Sequence, residues 1–219
     1  PLPDFSSFKN VKEKKEQFFQ FMLPKIRLAN TKIRAERSSL QHIFDRNKDE
    51  LFLSDADRTF LETLKLKYKI SEELGALDSI NALLTKIDEV PASLVLAQSA
   101  NESGWGTSRF AIEARNMFGI WCFREGCGIK PLQRAAGKKY EVAKYETIQA
   151  SVEAYMLNIN SHPAYRELRR IRSEARADNS YISGMALAEG LETYSARGED
   201  YVKEIKQLIR VNKLQRFNS

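Results

Sequence analysis

Leu94–Trp121 reads LVLAQSANESGWGTSRFAIEARNMFGIW, and its pattern decides how the rest of the chain is read. Pro91, just upstream, suits the first turn of a helix, where a missing N–H costs nothing. Leu94, Val95, Ala97, Gln98 and Asn101 follow helical spacing. Gly104 supplies a stop. Glu102 therefore falls in the last turn of an apolar helix, at the negative end of its dipole. That placement disfavours a carboxylate and is expected to raise its pKa. An apolar wall from Trp105 or Trp121 would act in the same direction. A carboxyl group that keeps its proton near neutral pH is what a general acid needs to protonate a glycosidic oxygen. A lone Glu at a helix end is usually just exposed and solvated. The neighbouring glycines and tryptophans make Glu102 a catalytic candidate.

The blocks Ala97–Gly106, AQSANESGWG, and Asn116–Ile120, NMFGI, resemble the signature of bacterial β-N-acetylglucosaminidases of glycoside hydrolase family 73. That family includes the muramidase domain of the flagellar rod protein and the Bax-type proteins. Within it the chain is most similar to the Bax-type group, through Gly126–Ile129, Asn158–Tyr165 and Tyr194–Gly198. The similarity runs over about residues 75–215, and the joint spacing of the blocks is what makes it specific. It implies a lysozyme-like fold, cleavage of peptidoglycan glycan strands, and Glu102 as catalytic acid.

Composition agrees with a folded, soluble chain. Of 219 residues, 42% are hydrophobic and 29% charged, ordinary values for a globular protein. That length suits one large domain, or a domain with a helical extension. The net charge of +6 favours a polyanionic partner. The acidic bacterial wall fits this better than nucleic acid, since dense Lys/Arg blocks with interleaved aromatics are lacking. No phosphate-loop glycine pattern occurs, and no run of about 18 apolar residues suggests a membrane span. The opening Pro1-Leu2-Pro3-Asp4 reads as a mature or trimmed start without a signal peptide. A periplasmic or cell-envelope location is therefore inferred from the substrate alone. A monomer without cofactor is expected.

Two cysteines are present, Cys122 and Cys127. In an exported protein they would close a small disulfide loop around Phe123–Gly126; the alternative is a pair of free thiols. With only His42 and His162 beside them, they make no recognisable metal site.

The expected fold class is α+β and mainly α: a lysozyme-like domain, residues 71–219, with one small β-hairpin and an N-terminal helical extension, residues 1–70. In the extension, Phe18, Phe21, Met22, Ile26, Ala29 and Ile33 follow the spacing of one long amphipathic helix, which Pro24 interrupts. Ser54-Asp55-Ala56-Asp57 reads as the cap of a second helix carrying Phe60, Leu61, Leu64 and Tyr68. The pair is read as a structural brace. In the main domain Asp78-Ser79 is expected to cap a helix through Ile87. The Glu102 helix and a short one near Thr107–Ala114 follow. Gly137-Lys138 offers a turn between strands Ile129–Arg134 and Lys139–Tyr145, with Pro131 confining its strand to a sheet edge. Helices are expected at about 147–161, 164–176, 180–191 and 198–211.

Glycosidases commonly place two carboxyl groups about the scissile bond, and in the resembled family the second is usually carried by the hairpin. The first arm here, Gly128–Arg134, has no Asp or Glu. Glu141 on the second arm is the main candidate, with Glu125 at the entry. Glu141 is equally read as a solvated strand residue or a partner of Arg134. A substrate-assisted route, in which the sugar's N-acetyl group attacks the anomeric carbon, would lessen the need for either. Trp105, Trp121, Tyr194 and Tyr201 are candidate sugar-binding aromatics; Tyr194 matches a cleft tyrosine of the family. Asn158, Asn160 and His162 cluster before Pro163, where helix-end capping explains them as well as ligand contact does.

The function read from this is a peptidoglycan hydrolase cleaving β-1,4 bonds, an endo-β-N-acetylglucosaminidase. A lytic transglycosylase is a variant of it. The alternative is a catalytically weak peptidoglycan-binding or assembly protein.

Overall fold

The computed structural model describes residues 1–47, 53–132, 134 and 137–218. Among them it is α+β and mainly α, with nine α-helices and one three-stranded antiparallel sheet. The helices are α1 (Val11–Asn47), α2 (Asp55–Tyr68), α3 (Ala76–Lys86), α4 (Ala92–Glu102), α5 (Arg109–Ala114), α6 (Ile148–Ser161), α7 (Arg166–Ala177), α8 (Gly184–Leu187) and α9 (Glu199–Val211). The strands are β1 (Trp121–Cys122), β2 (Gly128–Ile129) and β3 (Glu141–Ala143). By its contacts the chain forms two units. One comprises Pro1–Ala29, Ala92–Tyr155 and Gln207–Ser219; the other, Asn30–Pro91 and Met156–Lys206. Each draws on both sides of residue 70.

In the first unit, α4 is the central element: every residue from Ala92 to Ala100 is buried. A helix apolar all round belongs in a core rather than on a surface. Its start is tied down by the Ser93 amide, which donates to the Asn218 side chain at 2.7 Å. An aromatic cluster packs beside it. Phe18 and Phe19 of α1 present their edges to Trp105 at 5.6 and 5.5 Å between centroids, and Phe5 meets Phe18 at 5.4 Å. Pro24 lies inside α1, which continues through it.

The second unit is held by a buried arginine. Arg169, Arg172 and Arg176 share one face of α7. Arg172 is fully buried. It donates to the carbonyls of Asp88 and Glu89 at 3.1 and 3.0 Å, to the Asn160 Oδ1 at 2.8 Å, and to the carbonyls of Thr85 and Lys86 at 3.4 and 3.1 Å. Thr85 and Lys86 close α3, so a cation meets the negative end of that helix. Burial pushes the Arg172 guanidinium down to about 10, against the Asp88 charge that favours it. Arg176 pairs with Asp88 at 2.7 Å.

Several expected boundaries move. α2 begins where read, with Ser54 accepting from the Asp57 amide at 3.1 Å. α3 starts earlier than expected, with Gly75 as its N-cap, so Asp78 and Ser79 lie inside its first turn. α5 begins at Arg109 because Ser108 takes the cap, accepting from the Ala111 amide at 3.2 Å. The expected helix at 180–191 is broken. α8 begins at Gly184 and gives way to a 3₁₀ turn over Ala188–Leu191, and the two glycines, Gly184 and Gly190, lower helix propensity there. The hairpin shrinks to two-residue and three-residue strands. Gln133 of its expected first arm lies outside the described residues. β2 ends before Pro131 and is an edge strand, in the order β1-β3-β2. The extra strand, β1, pairs Trp121 with Val142 and Cys122 with Glu141.

Candidate active site

Glu102 is the last residue of α4 and is half-buried. The turn after it is built by one buried hydroxyl. Ser103 Oγ donates to the Ser99 carbonyl at 2.6 Å and accepts from the Gly106 amide at 2.8 Å. Gly104, Trp105 and Gly106 all take positive φ, at 55°, 58° and 79°. At Gly106 a side chain is excluded twice over, by this conformation and by Phe5, whose ring atom would lie 2.4 Å from a Cβ. The turn reverses the chain within a few residues of Glu102, and the Trp105 amide closes it by donating to the Ala100 carbonyl at 2.8 Å.

The NMFGI segment faces the acid from the other side. Asn116 is buried and uses its whole side-chain capacity of two donors and two acceptor sites. Its Nδ2 donates to the carbonyls of Ile120 and Ala143, each at 2.9 Å. Its Oδ1 accepts from the amides of Phe118 and Ile120, each at 3.2 Å. This network shapes the turn that holds Gly119 at φ 66°. A Cβ there would stand 3.4 Å from the Glu102 Oε2. The NMFGI turn therefore passes close to the carboxyl group, and its glycine brings no side chain there. Behind the turn, Phe118 stacks on Tyr155 at 4.1 Å, and the Tyr155 hydroxyl donates to the Gln98 side chain. Gln98 lies one helical turn before Glu102 on α4, so this buried network reaches the same helix.

Trp121 is 53% exposed and lies flat on Tyr140, centroids 4.3 Å apart and planes 9° from parallel. This pair presents a flat apolar surface of the kind on which sugar rings pack. Tyr140 was not singled out by sequence reading. Its signal was available, since it immediately precedes the strand that pairs with β1.

Glu141 is corrected in role. It is neither solvated nor paired with Arg134, which donates to the Tyr140 carbonyl instead at 3.2 Å. Only 2% exposed, its carboxylate accepts from the amides of Gly128 at 2.9 Å and Gly126 at 3.4 Å. It belts the loop closed by the Cys122–Cys127 disulfide, whose Cα atoms lie 6.2 Å apart. Both sulfurs lie within 4.8 Å of a Glu141 oxygen, but bonded to each other they offer no thiolate to a metal. Glu125 and Glu141 line an open hollow of about 650 Å³ with Arg109, Glu113 and Lys130, and Glu102 is not among its lining residues.

Two aromatic expectations are also corrected. The Trp105 ring is covered by Phe18, Phe19 and the Lys15 ammonium, 5.0 Å above it, so it anchors α1 rather than offering a face to sugar. Tyr201, in the second unit, is 1% exposed and backs Tyr194, stacked at 5.5 Å with planes 7° apart. Tyr194 keeps partial exposure and also meets Tyr165 at 6.0 Å. His162 is a cap, its Nδ1 accepting from the Ala164 amide at 3.1 Å. Asn160 serves the Arg172 network and donates to the Asp88 carbonyl at 2.9 Å.

A family model described as "Glucosaminidase: Mannosyl-glycoprotein endo-beta-N-acetylglucosaminidase" matches residues 79–214. The chain is 32% identical over 202 residues to "Protein bax" of Escherichia coli (strain K12), across 91% of this chain and 70% of that protein. Among solved structures it is similar to the catalytic domain of the autolysin Auto from Listeria monocytogenes. That match has a TM-score of 0.44 and 18% identity, covering 79% of this chain and 96% of the other.

Proposed function

Because the chain belongs to the glucosaminidase family of glycoside hydrolases, we propose that it cleaves β-1,4 bonds of peptidoglycan glycan strands as an endo-β-N-acetylglucosaminidase, with Glu102 as general acid. The observation that supports the assignment is the placement of Glu102, half-buried at the end of α4 with Gly119 of the NMFGI turn close to its Oε2. In the reaction the protonated Glu102 donates to the glycosidic oxygen as the bond to the anomeric carbon breaks. The leaving sugar departs neutral, and positive charge develops on the ring left behind. The carboxylate then takes a proton from the water that completes hydrolysis.

Glu141 is committed to two backbone amides, which favours a route with one protein acid. The N-acetyl group of the substrate attacks the anomeric carbon in place of a second carboxylate. The Trp121–Tyr140 stack holds a neighbouring sugar ring, and Tyr194 contributes to glycan binding. The protein works in the cell envelope, where such glycan lies. Among the described residues no helix is long and apolar enough to cross a membrane.

Mass spectrometry of fragments released from purified peptidoglycan tests this reading. Fragments ending in reducing N-acetylglucosamine are expected, and peptidoglycan stripped of N-acetyl groups should be cut very poorly. Anhydro-sugar ends would instead establish a transglycosylase, and intact glycan would overturn the substrate.

A further inference from the structure

β3 is the middle strand and runs antiparallel to both neighbours, Cys122 facing Glu141 and Ile129 facing Val142. The chain therefore leaves β1 and β2 at the same end of the sheet. Phe123, just past β1, residues 130–132, just past β2, and residues 137–140, just before β3, border that end. This end holds two of the most exposed large apolar side chains of the protein, Phe123 at 75% and Leu132 at 88%. The same short segments carry the exposed cations Arg124, Lys130, Lys138 and Lys139. Of the two acids in the segment, Glu141 is turned inward onto backbone amides, leaving Glu125 alone at the surface. The Cys122–Cys127 disulfide and the Glu141 belt close the short loop that carries Phe123.

We infer that this end of the sheet docks on an anionic lipid surface. Apolar side chains that protrude among lysines and arginines suit the boundary between headgroups and acyl chains. A glycan would call instead for flat aromatic faces and polar partners, which the neighbouring Trp121–Tyr140 pair provides. Each cation near such a surface adds about fivefold to partitioning. Four cations with two apolar side chains give reversible rather than permanent attachment. The catalytic unit would thereby be held against the membrane face bordering its substrate, whichever bond it cuts.

Co-sedimentation of the whole protein with vesicles tests this without any measure of hydrolysis. Phosphatidylcholine vesicles containing phosphatidylglycerol should retain the protein at low salt and release it at high salt; pure phosphatidylcholine should retain much less. The pair Lys138→Glu and Lys139→Glu should weaken binding about twentyfold or more, while Lys138→Arg with Lys139→Arg should keep it. Phe123→Ser with Leu132→Ser should weaken binding even at low salt. Circular dichroism melts of each variant establish that it is folded. Equal sedimentation with both vesicle types would overturn the inference. So would folded variants that bind vesicles like the unaltered protein. Vesicle binding absent throughout, with Phe123→Ser and Leu132→Ser reducing retention on insoluble peptidoglycan, would reassign the surface to glycan.

Discussion

At the scale of single residues, the candidate site at Glu102 is shaped by two residues that never need touch a substrate. Asn116 satisfies two carbonyls and two amides of the turn opposite Glu102. Each buried group left unpaired costs about 1–3 kcal/mol. Asn116→Ala is therefore expected to lower stability markedly in urea unfolding, with activity falling further because the Gly119 turn loosens. A melting curve like that of the unaltered protein would remove Asn116 from the framework. Gly119→Ala is a finer probe. Its left-handed backbone costs about 1–2 kcal/mol for a residue with a Cβ, and the new methyl meets the Glu102 Oε2. Turnover should fall by more than this modest destabilisation explains, and paired kinetic and thermal measurements separate the two effects.

At the scale of elements, the β3 strand and its loop test the role of Glu141. Glu141→Gln keeps one acceptor oxygen but loses the charge that strengthens both amide bonds. Thermal stability and activity are expected to fall in step. A large loss of turnover with an unchanged melt would restore Glu141 to the chemistry. The α7 helix makes a second case. Arg172 is buried among carbonyls, with Asp88 and Asn160 as partners. Arg172→Ala should cost about 3–5 kcal/mol in urea unfolding, as breaking a buried ionic network does. That burial was hidden in the sequence, because RELRRIRSEARA looks like a solvated helix face and arginine is rarely interior. The α4 helix was legible, since an N-terminal proline, apolar residues at helical spacing and a terminal glycine all agree. The hairpin was only half legible. Its first strand lies at the sheet edge but stops before Pro131, which was expected to lie within it, and β1 gains strand pairing through tertiary contact that two residues cannot advertise. Trp105 misled for a related reason. A tryptophan beside a candidate acid looks like a sugar platform until Phe18 and Phe19, distant in sequence, are seen to pack on its ring.

For the whole molecule, pH provides a test of the second unit's framework. Burial alone would raise the Asp88 carboxyl. The bond from Arg176 and the charges of Arg172, Arg37 and Arg176 outweigh it and hold the group below its ordinary 3.8. A depressed carboxylate contributes stability that is complete above the unfolded-state value and is lost as pH falls through the lower folded one. Unfolding free energy should therefore drop below about pH 4, and Asp88→Asn should flatten that drop; an unchanged acid slope would contradict this. The central claim, that one acid carries glycan cleavage, is tested most directly by Glu102→Gln, which keeps the side chain's shape and removes its transferable proton. Turnover of purified peptidoglycan should fall about 10²–10⁴-fold while the melting temperature stays near that of the unaltered protein. Turnover close to the unaltered rate in a pure, folded Glu102→Gln preparation would contradict the account.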